Sequence, residues 1–384
     1  MKIKIVTAAV LSLLATTTFA APTFYGEIDA SVDYLPEKNA TKSNKDVWEI
    51  SSNSSFLGLK GDEKLTDHLS AVYAIEWGFS ADGDSSDWTQ RNRFVGLKDA
   101  QFGTLKIGKH DTPVKQLSSV VDTFNNYVAN KADIGGIFTG ENRIDNVVVY
   151  ESPAVKLLDG AFKVNALLAT GESSGIKATS GGAKVAGRGL GDAWSASVTY
   201  ENPLLVAGIG YDKAIPSNFL GRGFLNAADP AITSNGSLFA AANTVRVIGK
   251  VTPVEGLALK ALYQSSEVEK TENATYSTSA DDLAKYAKWR TDSQNIDDAQ
   301  GWLVGAEYNL PQAKNWTVKG QYSQNDTSFK NNTADFKAKQ VIAGADYAFN
   351  KQVKTYGYAG YLTLEQASKK DKQPVAGLGL EFKF

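Results

Sequence analysis

The sequence predicts an all-β protein, a transmembrane antiparallel β-barrel of sixteen strands closed on itself. The last eight residues show the pattern most plainly. Leu378, Leu380, Phe382 and Phe384 share one parity, and Gly377, Gly379, Glu381 and Lys383 share the other, giving a strand one apolar and one polar face. Segments of this kind recur along the chain at about the ten-residue length a tilted membrane strand needs. The connections between them alternate between short turns and long polar loops, which is the layout of outer-membrane barrels rather than of a soluble sandwich.

Taken in order, the chain opens with Lys2 and Lys4, an apolar run from Ile5 to Ala15, and Thr18-Phe19-Ala20 before Ala21. This is the pattern of a secretory signal cleaved after Ala20, over residues 1–20. The run falls short of the roughly 20 apolar residues that a bilayer-spanning helix requires. Residues 21–384 read as a single barrel domain, with no Pro/Ser-rich linker or charge block to divide it. The strands fall near 23–34, 46–60, 68–80, 88–98, 102–109, 143–151, 161–170, 191–201, 204–213, 242–252, 256–267, 299–309, 314–324, 337–348, 351–365 and 374–384. Trp194, Ala196, Val198 and Tyr200 opposing Ser195, Ser197, Thr199 and Glu201 is typical of their alternation.

Turns are expected at 61–67, 99–101, 152–160, 202–203, 253–255, 310–313 and 349–350, on the periplasmic rim with both termini. Loops are expected at 35–45, 81–87, 110–142, 171–190, 214–241, 268–298, 325–336 and 366–373, on the outside. Unpaired backbone groups cost several kcal/mol each in lipid, so a spanning sheet must close. Sixteen strands then leave an aqueous bore. Aromatics near strand ends, among them Trp77, Trp302, Tyr322, Trp316 and Tyr347, fit interfacial girdles that contact outer-membrane lipid. On this reading Gly377 and Gly379 line water.

Composition narrows the function. There is no Cys and the one Met is Met1, so disulfide and thiolate chemistry are excluded. A net charge of −2 carries no nucleic-acid footprint. The two histidines, His68 in a turn and His110 at the base of the third loop, assemble no nucleophile–base pattern or metal spacing, so neither an enzyme nor a cofactor is indicated.

Four stretches carry a family resemblance: Phe24-Tyr25-Gly26-Glu27-Ile28-Asp29; Ser55 to Glu63 across the first turn; Arg91 to Lys98 continuing through Phe102 to Lys109; and Arg143 to Pro153. In this order, with Phe384 at the end, they resemble the general (non-specific) diffusion porins of Gram-negative outer membranes. The resemblance implies a homotrimer with one pore per subunit, passed by small hydrophilic solutes and ions. It also implies a third loop, here about 110–142, folded inward to narrow the channel. The aromatic end, Phe382 and Phe384, resembles the signal read by the barrel-assembly machinery.

Parity places Arg91 and Arg93 opposite Phe94, and Arg143 opposite Ile144, Val148 and Tyr150, hence in the lumen. Val95 and Leu97 share the parity of the first two arginines. The resemblance makes Arg91 and Arg143 part of a basic wall cluster facing loop carboxylates, for which Asp122, Asp133 and Glu141 are the candidates. Glu27, Asp29, Glu76, Lys106 and Arg246 also read as lumen-facing. Phe56 and Glu27 stand where family members often carry basic residues, which weakens the basic side and suggests mild cation preference. The alternatives are a substrate-selective channel for organic or amino acids, with arginines guiding anionic groups, and a pore whose long loops add a surface-adhesion role.

Overall fold

The computed structural model describes residues 21–37, 45–84, 88–171, 176–177, 184–185, 189–221, 238–269, 295–330 and 332–384. The expected signal at 1–20 and much of the loops near 171–190, 214–241 and 268–298 lie outside these residues. Sixteen strands form one closed antiparallel barrel. They are β1 Thr23–Glu37, β2 Lys45–Ser52 resuming as Phe56–Lys64, β3 Leu69–Gly78, β4 Thr89–Asp99, β5 Gly103–Asp111, β6 Arg143–Glu151 resuming as Val155–Leu157, β7 Gly160–Ala169 and β8 Ala193–Glu201. The second half comprises β9 Leu205–Asn218, β10 Phe239–Val254, β11 Leu257–Val268, β12 Ile296–Asn309, β13 Trp316–Phe329, β14 Phe336–Ala348, β15 Val353–Gln366 and β16 Lys369–Lys383.

Each strand pairs with its neighbours in sequence, and the last closes on the first: Glu27 opposes Lys383, Ala30 opposes Leu380 and Tyr34 opposes Ala376. Phe384 completes the seam, exchanging backbone hydrogen bonds of 3.0 and 3.2 Å with Gly26. A Cβ at Gly26 would lie 2.7 Å from the Phe384 ring, so the close approach depends on glycine.

The outer surface is apolar. Phe24, Ile28, Val32, Val95, Ile107, Leu378 and Leu380 are all exposed there, an arrangement that water opposes and lipid accepts. Aromatic pairs, including Trp302–Tyr322 and Trp316–Tyr347, mark the two ends of this band.

Two expectations change. The expected loop at 366–373 is a tight hairpin in which Gln366 opposes Lys369, because β15 and β16 run on past the apolar band. There the outward residues Thr363, Glu365, Lys370 and Lys372 are polar, so the apolar outer face that marks a membrane strand disappears while the pairing continues. Gly377 and Gly379 do not line water either. A Cβ at Gly379 would lie 2.1 Å from Tyr356 Cζ, and one at Gly377 2.5 Å from the Tyr358 hydroxyl, so the glycine track is roofed by two tyrosines.

Between β5 and β6 the chain enters the barrel. Thr112 caps helix α1 (Pro113–Val121), its side chain accepting from Lys115 N at 3.2 Å, and Pro113 begins the helix, where its missing N–H costs nothing. Two short helical turns follow, α2 (Tyr127–Asn130) and α3 (Ile134–Ile137), with Asn126, Val128 and Ala129 at positive φ where the loop reverses. Its apolar side chains Leu117, Val121, Phe124, Ile134, Ile137 and Phe138 pack with Ile248, Leu262, Leu303, Ile342 and Tyr356 into the largest apolar cluster of the described residues. The core of this protein therefore lies between a loop and the inner wall.

Candidate functional site

The loop is seated on glycines. Cβ atoms built at Gly208 and Gly210 would lie 2.9 Å from Leu117, one at Gly301 2.5 Å from Phe138 and one at Gly305 2.6 Å from Thr123 Oγ1. Small residues on β9 and β12 thus let the loop lie flat against the wall.

A single guanidinium clasps it. Arg246 on β10 is fully buried and donates to Glu141, Ser118 Oγ, Thr139 O (2.8 Å), Val114 O (3.2 Å) and Gln264 Oε1 (2.8 Å from Nε). Farther along, Tyr127 stacks on Tyr356 at 4.0 Å and donates to Asp346 at 2.7 Å, and Lys319 donates to both Tyr127 Oη and Asp346. Burial, with Asp346 beside it, pushes the Tyr127 phenol well above its ordinary pKa and keeps it a donor. Asn126 reaches Glu27 on β1 at 3.4 Å, so the loop crosses from β5 to the far side of the lumen.

Two of the three candidate carboxylates of the loop serve this seating, and the third is buried. Glu141 belongs to the Arg246 clasp. Asp133 is buried at the start of α3. Asp122, half-buried, accepts from Ile134 N at 3.2 Å and holds two parts of the loop together. Asp29 and Glu27 face inward but are covered: Asp29 accepts from Tyr356 Oη at 2.6 Å, and Glu27 pairs with Lys383 at 3.5 Å.

The opposite wall carries the open charges. Arg91 lies with its Nε 3.7 Å from Glu76 Oε2 and its guanidinium over the Phe56 ring at 4.4 Å, and Tyr25 donates to the other Glu76 oxygen at 2.8 Å. At the root of the loop, Asp111 draws in Lys115 Nζ (2.7 Å) and Arg143 Nε (3.1 Å), with Asn92 bridging Arg143 and Asp111. Below them Lys106 pairs with Glu151 at 2.6 Å, 4.5 Å from the Phe94 ring, with His110 alongside.

The structure brings Arg91 and Arg143 into one network and corrects Arg93. Val95 and Leu97 are exposed on the outer surface, Phe94 meets Lys106 and His110 in the lumen, and Arg93, opposite Ile75 and Lys109, therefore points outward, its guanidinium 5.4 Å from the Trp77 ring. The cause is a bulge: the β3–β4 register shifts between Ile75 and Trp77, returning Arg91 to the lumen although it shares parity with Arg93. A second shift, between Gly108 and His110, turns Ile144 inward. Parity alone cannot find such shifts. Lys115, Asp111 and Asn92, which complete the network, carried one signal: an Asp111/Lys115 i,i+4 pair astride a helix start.

The family model described as Gram-negative porin matches residues 7–367. The chain belongs to that family. It is 25% identical over 388 residues to the major outer membrane protein P.IB of Neisseria gonorrhoeae, covering 97% of this chain and 99% of that one. It is 33% identical over 178 residues to P.IA of Neisseria meningitidis serogroup C, where the match spans 42% of this chain and 45% of the relative, so the chain spans about half the length of some relatives it matches. Among solved structures it resembles the anion-selective porin of Comamonas acidovorans (TM-score 0.64, 20% identity, 95% and 99% coverage). It also resembles the trimer form of OmpT of Vibrio cholerae (TM-score 0.59, 18% identity, 95% and 99% coverage). Porin relatives and a closed barrel place the protein in the outer membrane.

Proposed function

We propose that this porin forms a water-filled channel for passive diffusion of small hydrophilic solutes and ions, narrowed by the inward third loop and biased by the charges left open beside it. The observation that carries the reading is the loop's course from Asp111 across the lumen to β1, which divides the inner wall into a covered and an open part. In the open part the cations Arg91, Arg143 and Lys115 face the carboxylates Glu76 and Asp111, an excess of positive charge. Low-dielectric walls focus such a field on passing ions, so the channel prefers anions mildly. This reverses the preference suggested by a loop rich in carboxylates, because Glu141 and Asp122 hold the loop in place and Asp133 is buried.

The porin assembles as a trimer, as one structural relative does, and its aromatic end, with Phe382 outward and Phe384 packed on Phe24 at 5.5 Å, presents the assembly signal. Planar-bilayer recording tests these readings together. Conductance is expected in triplet steps, with a reversal potential in a salt gradient of anionic sign and flux of neutral sugars falling smoothly with size. A cationic reversal potential would overturn the assigned field, and saturable block by one solute class would favour a substrate-selective channel.

A further inference from the structure

The seam where β16 closes on β1 sets like charges against each other. Asp29 and Glu381 are cross-strand neighbours, Glu27 lies two residues before Asp29 on the same inward face, and all three side chains are buried. Carboxylates directly opposite one another repel, and burial strengthens the repulsion. One oxygen from each of the three lies within 4.8 Å of the other two.

Two lysines answer this charge only in part. Glu381 binds Lys354 and Lys383, each at 2.8 Å, and Lys383 reaches Glu27 at 3.5 Å. Three carboxylates against two ammonium groups leave one negative charge over. The excess falls on Asp29, which forms no ion pair among the described residues. It is fully buried, and its Oδ1 accepts from Tyr356 Oη at 2.6 Å and from Asn53 Nδ2 at 3.3 Å. Its Oδ2 has no hydrogen-bond partner among the described residues. Asn53, in the break between the two parts of β2, is also fully buried and leaves its carbonyl Oδ1 without a donor. Two enclosed acceptor oxygens beside surplus negative charge are costly, and a cation satisfies both.

We propose that Asp29, Glu27 and Glu381 hold a calcium ion that ties β16 to β1 beneath the third loop, where Asn126 meets Glu27. The spread of the oxygens suits it, since ligands on opposite sides of one calcium ion stand roughly 5 Å apart. Calcium accepts irregular sets of carboxylate and amide oxygens, whereas magnesium keeps several waters, for which the enclosed Asp29 leaves little room. Lys383 makes way for the ion. Its side chain is half exposed at the end of the last strand, and swinging it into water frees one oxygen on Glu381 and one on Glu27. Three carboxylates, Lys354 and one divalent ion then sum to zero charge.

The test is terbium luminescence of the full porin in detergent, stripped with EDTA, with calcium as competitor and Tyr356, bonded to Asp29, as sensitiser. The wild type is expected to give a saturable signal that calcium displaces far better than magnesium. Asp29→Asn, which removes one of three anionic ligands at nearly constant shape, should weaken both terbium and calcium binding by roughly tenfold or more. Lys383→Gln, which removes the competing ammonium, should tighten both by roughly threefold. Glu365→Gln, at the far end of β15, should leave both unchanged. A wild-type signal that calcium does not displace, as a proton held by Asp29 would give, overturns the assignment. So does displacement by magnesium as effective as by calcium, undiminished affinity in Asp29→Asn, or affinity that fails to rise in Lys383→Gln.

Discussion

The inner wall has two sides that use the same residue types for opposite ends. Where the third loop lies, charges are buried and matched: Arg246 with Glu141, Lys319 with Asp346 and Tyr127, Asp29 under Tyr356. On the open side Arg91, Glu76, Lys115 and Asp111 keep access to water. A buried ion pair is weak evidence of net stability, yet breaking one strands a charge at a cost of about 3–5 kcal/mol. A pair that keeps partial access to water, as Arg91 and Glu76 do, costs less to lose than a fully buried one and can still act on a passing ion. The loop's position therefore decides which charges are structural and which are functional.

The sharpest way to break this contrast is Arg246→Ala, which strands Glu141. A loss of about 3–5 kcal/mol is expected, read as a lower thermal transition, with larger and noisier single-channel currents as the loop leaves its seat. Gly379→Val attacks the tyrosine roof instead; overpacking against Tyr356 should cost about 1–3 kcal/mol by the same assay and leave ion preference intact. On the open side, Arg91→Gln should cost less stability than Arg246→Ala while moving the reversal potential toward cations. Asp133→Asn, on a buried carboxylate, should leave the reversal potential where it is. Smallest of all, Arg93→Gln should not alter it, since that guanidinium stands outside the lumen. A selectivity change in either of the last two would merge the two sides and refute the division drawn between them.

The barrel was legible because period-two alternation is imposed by lipid outside and water inside, and sixteen staves and their periplasmic turns follow from it. What parity could not supply were places where the chain steps out of phase. The bulge beside Ile75 sends Arg93 outward while Arg91 stays inside, and both are arginines in one motif. Nor does alternation reveal what covers an inward face. Gly208, Gly210 and Gly301 carry no mark of a cover, yet each is the floor beneath an apolar side chain of the loop. For the carboxylates the missing fact was a partner distant in sequence: nothing near Glu141 announces Arg246.

The hairpin at 366–369 has a consequence for how the molecule meets a protease. Lys369, Lys370 and Lys372 form the densest run of trypsin sites at this end of the chain, and composition would mark it as the first place to be cut. Yet each of these residues is paired across to β15, and a protease must draw several residues of free extended chain into its cleft. Digestion of intact cells should therefore spare this lysine-rich tip.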